Sequence, residues 1–239
     1  MPTRHRPILA TLLLVLAAGC DGITPVEGSG KTATEDRKVE GFQRVHAQST
    51  VEVVVEVTGT ESATVEADDN LLPLVQTTVE NGTLRVGVKG SLNTRNPIRV
   101  RVTAKQLEGL TAESSAKVSS KVLKTDRLAL SASSSGQVTA NNVEAKQLKV
   151  SVSSAGGVTA TGRADQQEID ASSSGHYDGS KLVSRTSQVT CSAAASTELH
   201  ATQEVSGSVS SAGSVLYSGN PAKVAVSASS AGSVQAAGK

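Results

Sequence analysis

Aromatic residues are almost missing from this sequence. Its 239 residues include no Trp, two Tyr and a single Phe, Phe42. The buried core therefore has to be built from Val, Leu, Ile and Ala, aliphatic residues that proteins often bury. These thin side chains suit a narrow stacked coil of strands better than a wide sandwich of two sheets.

An excess of charge of one sign is missing as well. The chain has 23 basic and 22 acidic residues, which gives a net charge of +1. Removing residues 1–19, which contain Arg4 and Arg6 and no acidic residue, changes the net charge to −1. A nearly neutral chain has no electrostatic attraction for a polyanion, so we do not expect nucleic acid as a partner.

Only one long apolar segment is present, from Ile8 to Ala18, and it is too short for an ordinary membrane span. Arg4 and Arg6 precede it, and it leads into LAAGC at 16–20. This order resembles the bacterial lipobox, whose Cys becomes the lipidated first residue. We therefore expect a lipoprotein signal peptide at 1–19 and a palmitate-bearing membrane anchor at Cys20.

The alternative for this segment is a plain secretory signal with cleavage elsewhere. In enterobacteria Asp21 would favour retention in the inner membrane, a rule that does not transfer safely to other bacteria. The expected location is thus the cell envelope, at the outer membrane or at the periplasmic face of the inner membrane.

The next segments are less regular than the rest of the chain. Residues 20–38 are polar and lack apolar periodicity, which predicts a flexible tether. Residues 39–104 contain alternating strands such as 51–57, a tight-turn signal at Asn81-Gly82, and one short helical turn at 70–75 limited by Pro73. We interpret 39–104 as irregular opening turns of the solenoid that residues 105–239 continue.

A short Ser-rich motif returns throughout residues 105–239, for example as SASSSG at 131–136 and SVSSAG at 151–156. Its last residue recurs at steps of 20, 20, 19, 20, 18 and 19 residues: Ala116, Gly136, Gly156, Gly175, Ala195, Gly213 and Gly232. A fixed period near 20 is typical of a solenoid.

Aligning the repeats on this last residue gives columns of like side chains. Six residues before it the column is aliphatic with one exception: Leu110, Leu130, Val150, Ile169, Val189, Gly207 and Val226. Four before it the residues are small and apolar: Ala112, Ala132, Val152, Ala171, Cys191, Val209 and Ala228. Polar residues lie between, so each repeat alternates with the period of a strand that has one buried face.

Twenty residues leave no room for a helix of ordinary length beside two short strands and their turns, so each repeat is expected to be one turn of a coil of strands. Equivalent residues of successive turns would pair as parallel strands about 4.8 Å apart. The Ser-Ser-Gly motif would form the corner, with glycine at positive φ and the serine hydroxyls bonded to the nearby backbone. The predicted fold is an all-β parallel β-helix. Cys191 is expected to be an inert buried residue without a disulfide, and the alternative for it is a reactive or intermolecular thiol.

Several motifs together carry a resemblance to one bacterial family. They are the lipobox, GFQRV at 41–45, VEVVVEV at 51–57, DDNLL at 68–72, NGTLRV at 81–86 and the repeated corners. Residues 39–239 resemble the auto-transporter adhesin head GIN domain family, also described as a domain of unknown function. The resemblance implies a right-handed, single-stranded β-helix, a suggested adhesive role and no functional residue that can be transferred.

Two hypotheses for function stay open. The first is a non-enzymatic, lipid-anchored envelope protein whose outward Ser/Thr columns bind an envelope or extracellular polymer or protein. The alternative is a carbohydrate-active β-helix enzyme, a polysaccharide lyase or hydrolase, which needs facing carboxylates or a base with charged partners. The most charged candidate patch is Asp165, Glu168, Asp170, His176 and Asp178.

No cofactor or metal site is expected. His46, His176 and His200 lack the spacing of a metal motif, and no serine lies in a GxSxG sequence. The oligomeric state cannot be derived from the sequence.

Overall fold

The computed structural model describes residues 24–238, which form a parallel β-helix of about six turns with a spacing of about 20 residues. Apart from a 3-10 turn at Leu72–Leu74, the regular structure is entirely strand. In chain order the strands are β1 (Val26–Glu27), β2 (Thr32–Arg37), β3 (Arg44–Ala47), β4 (Val51–Val57), β5 (Ser62–Asp68), β6 (Val75–Glu80), β7 (Thr83–Val88), β8 (Leu92–Asn93), β9 (Ile98–Ala104), β10 (Gly109–Ala112), β11 (Lys117–Ser120), β12 (Leu123–Ala132), β13 (Gln137–Val152), β14 (Gly157–Ala171), β15 (His176–Cys191), β16 (Ser196–Val209), β17 (Ser214–Ser218), β18 (Lys223–Ala228) and β19 (Ser233–Ala236).

The pairing of successive turns confirms the predicted columns. Leu130 lies beside Val150, Val150 beside Ile169, and Ile169 beside Val189, all in parallel strands. Val150 is fully buried, whereas its neighbour Ser151 is exposed. The inward columns thus stack like residues on like residues and build one continuous aliphatic core.

Each regular turn consists of three short segments. In β13 the ladder of paired residues is interrupted at 141–142 and again at 146. The first interruption contains Asn142, whose φ of 50° turns the chain. The turn therefore divides into a first segment at 137–140, a second at 143–145 and a third at 147–152, followed by the next corner.

The corners differ from the prediction. Glycine does not have the positive φ; the two residues before it do, for example Ser134 at 50° and Ser135 at 68° before Gly136. Gly136 N donates to Ser133 O at 2.8 Å, which closes a type I′ turn. Backbone groups rather than serine hydroxyls join neighbouring corners, as when Ser135 N donates to Ser154 O at 3.1 Å.

Glycine is favoured at the corner because the turns approach each other closely there. A Cβ added to Gly156 would collide with the carbonyl of Ala132 and lie 2.7 Å from Ser133 N, both in the preceding turn. These atoms are backbone and cannot rotate away. The glycine therefore allows one corner to stack on the next.

The first part of the chain closes one end of the coil. β3 and β4 pair in parallel with β10 and β11 as an additional turn, and β7 and β9 pair in parallel beyond them. Antiparallel strands then cover this layer: β6 pairs with β7, β5 with β9, and β2 with β5. The β6–β7 hairpin turns at Asn81-Gly82, as the sequence predicts.

The expected flexible tether at 20–38 is in part an edge strand. β2 lies within that segment and pairs over its whole length with β5, from Thr32 opposite Asp68 to Arg37 opposite Ala63. Its side chains are mostly exposed, so it has no apolar periodicity for the sequence to reveal. The backbone hydrogen bonds to β5 order it instead. The expected signal peptide at 1–19 and Cys20 lie outside the described residues.

Candidate binding surface

Outward columns of small polar residues run along the coil. In the third segment the column contains Thr111, Ser131, Ser151, Asp170, Thr190, Ser208 and Ser227, each paired with its equivalent in the next turn. Most of these side chains are exposed. Parallel pairing places them about 4.8 Å apart, so the surface repeats regularly along the coil axis.

A polar groove lies beside this column, where the second segment meets the third. Its volume is about 690 Å³. Its walls include Arg127, Gln147, Gln166 and Thr186 on one side and Lys149, Glu168 and Gln188 on the other. We call this feature the polar groove.

Two charged groups of the polar groove, Lys149 and Glu168, are paired with each other, and a third, Glu204, is paired with a lysine outside the groove. Lys149 Nζ lies 2.9 Å from Glu168 Oε1 in the next turn, and this bond raises the pKa of Lys149. Glu204, further along the groove, lies 2.8 Å from Lys223. Such exposed pairs contribute roughly 0 to 1 kcal/mol to stability. The groove is nearly neutral because its three basic lining residues, Arg44, Arg127 and Lys149, balance three acidic ones, Glu108, Glu168 and Glu204.

The amide groups of the polar groove are not paired. The side chains of Gln147, Gln166 and Gln188 are exposed and make no hydrogen bond within the described part of the chain. Each amide offers both a donor and an acceptor. The groove therefore has free hydrogen-bonding groups in three successive turns.

The floor of the polar groove rests on a buried polar cluster that sequence reasoning missed. Gln167 Nε2 donates to Ser184 Oγ at 2.9 Å and to Ser187 Oγ at 2.8 Å, and Gln167 Oε1 accepts from the Tyr177 hydroxyl at 3.1 Å. All four residues are almost completely buried, and burial raises the pKa of Tyr177. Ser184 also donates to the His200 carbonyl. The cluster is fully hydrogen-bonded, which rigidifies this part of the core.

A signal for the cluster was present in one column. Position by position, the inward residues at the start of the third segment are Leu128, Leu148, Gln167, Ser187 and Val205. Two polar residues interrupt an otherwise aliphatic series. Buried polar groups need partners, so this interruption could have predicted a cluster.

The DDNLL motif organises the closed end. The Asp68 carboxylate accepts hydrogen bonds from the Asn96 side chain at 2.6 Å and from Arg95 N at 3.0 Å. Burial by itself raises the pKa of Asp68, but these hydrogen bonds outweigh it, so the pKa lies below its usual value of 3.8. Asp69 accepts from Ser29, and Ser29 N donates to Asn70. The motif therefore has a structural role, tying residues 28–31 and 95–96 to β5.

The residues of the charged candidate patch do not converge. Glu168 and Asp170 lie on the third segment, where Glu168 is paired with Lys149. His176 and Asp178 lie beyond the corner on the first segment of the next turn. There His176 Nδ1 lies 2.8 Å from Ser196 Oγ, and Ser180 donates to Asp178 and lowers its pKa.

Neither Cys191 nor any cluster of metal-binding side chains forms a reactive site within the described residues. Cys191 is buried and free, its thiol donates to Ala195 O at 3.2 Å, and burial raises its pKa. Across residues 24–238 no group of three or more His, Cys, Asp or Glu side chains could hold a metal ion. Within the same residues no helix is long and apolar enough to cross a membrane.

The fold and its repeated outward polar columns define an extended parallel β-helix with a regular polar surface. The chain belongs to the family described as "Putative auto-transporter adhesin, head GIN domain", which matches residues 41–221. This confirms the resemblance derived from the motifs. Among curated proteins, none matches the sequence significantly.

Solved structures share the fold. A putative adhesin from Bacteroides fragilis is similar with a TM-score of 0.79 and 22% identity, covering 89% of this chain and 100% of that one. A putative lipid binding protein from Parabacteroides distasonis has a TM-score of 0.74 and 18% identity, covering 90% and 100%. A putative adhesin from Parabacteroides merdae has a TM-score of 0.66 and 20% identity, covering 89% and 99%.

Proposed function

We propose that this protein is a non-enzymatic, lipid-anchored protein of the cell envelope that binds an extended polymer or a protein along the polar groove. The observation that carries the proposal is the set of unpaired amides of Gln147, Gln166 and Gln188 beside paired charges. Membership of a family described as adhesins supports a binding role.

The geometry favours an extended and weakly charged ligand. Gln147 and Gln166 are paired in adjacent turns about 4.8 Å apart, and Gln188 lies one turn further along on the opposite wall, so a polymer lying along the coil axis can meet the three amides one after another. Each hydrogen bond contributes little by itself, but several on one chain add up through multivalency. No exposed aromatic side chain lines the groove, so hydrogen bonding rather than ring stacking carries the contact.

An open groove is a poor environment for catalysis. Small-molecule chemistry normally needs a cleft that excludes water. The groove carboxylates Glu168 and Glu204 are each paired with a lysine, Lys149 and Lys223, rather than facing one another across the groove as glycoside hydrolysis requires. The geometry supports binding better than hydrolysis.

The anchor is proposed at Cys20. Since β1 begins at Val26, the segment between them spans at most about 20 Å when fully extended. The closed end of the coil would then lie near the membrane. Cys20→Ser should move the protein from the membrane fraction to the soluble fraction, and membrane retention without an acyl mass would contradict the assignment.

The binding role is tested on immobilised neutral polysaccharides and matrix proteins. The triple variant Gln147→Ala, Gln166→Ala, Gln188→Ala should lose most of the binding, whereas the control Gln137→Ala, Gln203→Ala, with exposed glutamines outside the groove, should keep it. Because the groove is neutral, binding should change little between low and high salt. Equal binding by the parent and the triple variant would remove the groove from consideration, and cleavage of a glycan would replace the proposal with the enzyme alternative.

The serines that begin the corner turns are tested in parallel. Replacing Ser133, Ser153, Ser172 and Ser210 together with Gln adds bulk at four corners, directly after the third segment, without adding charge. A folded variant that binds as well as the parent assigns these serines to the scaffold alone.

A further inference from the structure

The last described turn of the coil has an unpaired edge. β18 pairs with β16 and β19 pairs with β17, and no described strand lies on their other side. The corner of the last turn is unpaired on the same side. In the turn before it, Ala212 N donates to Ser230 O, whereas the equivalent Ala231 N has no acceptor in the described residues. This edge can therefore accept another strand.

The same turn exposes the ends of the inward columns. Val224 is 44% exposed, while Val205, its equivalent one turn earlier, is fully buried. Val226 is half-buried and Ala228 is exposed, although both point along inward columns. Among residues 24–238 nothing covers the core of the coil at this end, and the side chains left open there are apolar.

The other end of the coil cannot provide the missing cover. It is closed by antiparallel strands, and its edge strand β2 carries Glu35, Asp36 and Arg37. A second copy stacked head to tail would place its apolar columns against this charged edge. Open-ended stacking into a fibre is therefore disfavoured.

The described residues of the uncovered end carry no unpaired charge. Between residues 205 and 238 the only charged residue is Lys223, which is paired with Glu204 at 2.8 Å. In a two-fold interface every group near the axis meets its own copy, so a neutral surface avoids self-repulsion. One turn of about 20 residues also supplies the number of residues that a standard interface uses on each side.

We propose that two copies of this protein pair end to end through the last turn, with β18 antiparallel to β18 of the second copy. If Val226 of one copy lies opposite Val226 of the other, Val224 of each copy lies opposite Ala228 of the other copy. All three apolar residues then stay on the inward side. Lys223 then lies opposite Ser229, which avoids contact between like charges. The family match ends at residue 221, so this interface lies in a part of the chain outside the matched region.

This arrangement deepens the proposed function and, for its second step, rests on the anchor at Cys20. The two-fold axis crosses the coil at the last turn, so the closed ends of the two copies point in opposite directions. Anchors attached at the closed ends would then lie at the two far ends of the dimer. Paired copies would join two facing membranes, with a second copy of the chain as the partner.

The dimer is tested in solution on residues 20–239 without acylation. Sedimentation should give twice the chain mass, with a concentration-dependent return to monomer. Val226→Lys should raise the dissociation constant tenfold or more, and the control Val54→Lys, at an exposed valine on the first segment, should leave it unchanged. A parent that stays monomeric at all concentrations, or that forms filaments, overturns the proposal.

A cross-linking experiment covers the case in which Val226→Lys disturbs the last turn. In a Cys191→Ala, Cys20→Ser background, Val226→Cys should form a disulfide-linked dimer under mild oxidation, while Val234→Cys on β19 should not. Equal cross-linking at both positions contradicts the register.

The membrane step has its own readout. The acylated chain in phosphatidylethanolamine–phosphatidylglycerol vesicles should cluster them, and Val226→Lys should abolish clustering. Dimers in solution without vesicle clustering would overturn the facing-membrane arrangement and leave the interface intact; failure of the chain to attach to vesicles would instead count against the anchor.

Discussion

Two neighbouring residues of one corner should respond in opposite ways to the exchange of glycine and alanine. Gly156 is buried against the preceding turn, and its would-be Cβ collides with backbone atoms of Ala132 and Ser133. Ala155 is exposed and has a φ of 60°, where an L-residue is strained. Gly156→Ala should therefore destabilise the protein, whereas Ala155→Gly should not.

The magnitudes follow from the contacts. The collision at Gly156 is relieved only if the two turns separate, and such overpacking lowers the free energy of unfolding by about 1 to 3 kcal/mol. The separation also weakens the hydrogen bond from Ser153 N to Ala132 O, which contributes about 1 kcal/mol. Ala195 occupies the same corner position naturally, and there the turn bond is 3.1 Å rather than 2.8 Å. Since the corner can widen slightly, we expect Gly156→Ala to lower the free energy of unfolding by about 2 to 3 kcal/mol.

The expected change for Ala155→Gly is small. Glycine adopts the left-handed conformation at residue 155 without strain, which stabilises the folded state by about 1 to 2 kcal/mol. Its greater conformational freedom in the unfolded chain lowers the free energy of unfolding by about 0.5 to 1 kcal/mol. The variant should match or slightly exceed the parent. Urea unfolding followed by circular dichroism measures both midpoints. If Gly156→Ala unfolds at the same urea concentration as Ala155→Gly, the account of the corner is wrong.

Three further predictions concern the core and the closed end. Val150→Asp should cost several kcal/mol in thermal unfolding because it buries an unpaired charge, whereas Ser151→Asp should be nearly neutral; equal melting temperatures would show the register to be wrong. Tyr177→Phe should cost about 1 to 3 kcal/mol, since Gln167 keeps a buried carbonyl without its donor, and an unchanged midpoint would indicate that the cluster is not formed in solution. Asp68→Asn should lower the melting temperature at neutral pH. Because the folded pKa of Asp68 is depressed, its stabilising effect is lost as pH falls below about 3.8, so the difference from the parent should shrink there, and a constant difference would contradict the role of the charge.

The sequence was informative wherever side chains repeat. The period, the inward columns and their neighbours such as Val150 and Ser151 follow from alternation within each strand and from stacking between turns. The turn at Asn81-Gly82 and the short helical turn near Pro73 follow from local chemistry. These features depend on a few residues at a time.

Features set by backbone contacts between distant segments could not be predicted in the same way. β2 has one partly buried apolar residue, Ala33, so nothing in its pattern shows that it pairs with β5. The corner glycines were assigned to the wrong cause because a motif ending in glycine fits both a positive φ and a close approach. The polar groove is formed by residues from several turns, and its free amides become apparent only once the paired charges are located.

The buried cluster around Gln167 has a consequence for how the chain finds its alignment. A coil of nearly identical turns can shift by one whole repeat and still place valine on valine, so aliphatic columns alone do not identify which turn belongs beside which. The Gln167 amide donates to Ser184 and Ser187 in the next turn, and a shift of about 20 residues between these turns would break both bonds and leave the buried amide beside aliphatic neighbours. The cluster therefore fixes the register in which neighbouring turns pair, much as a single buried asparagine fixes the register of a coiled coil.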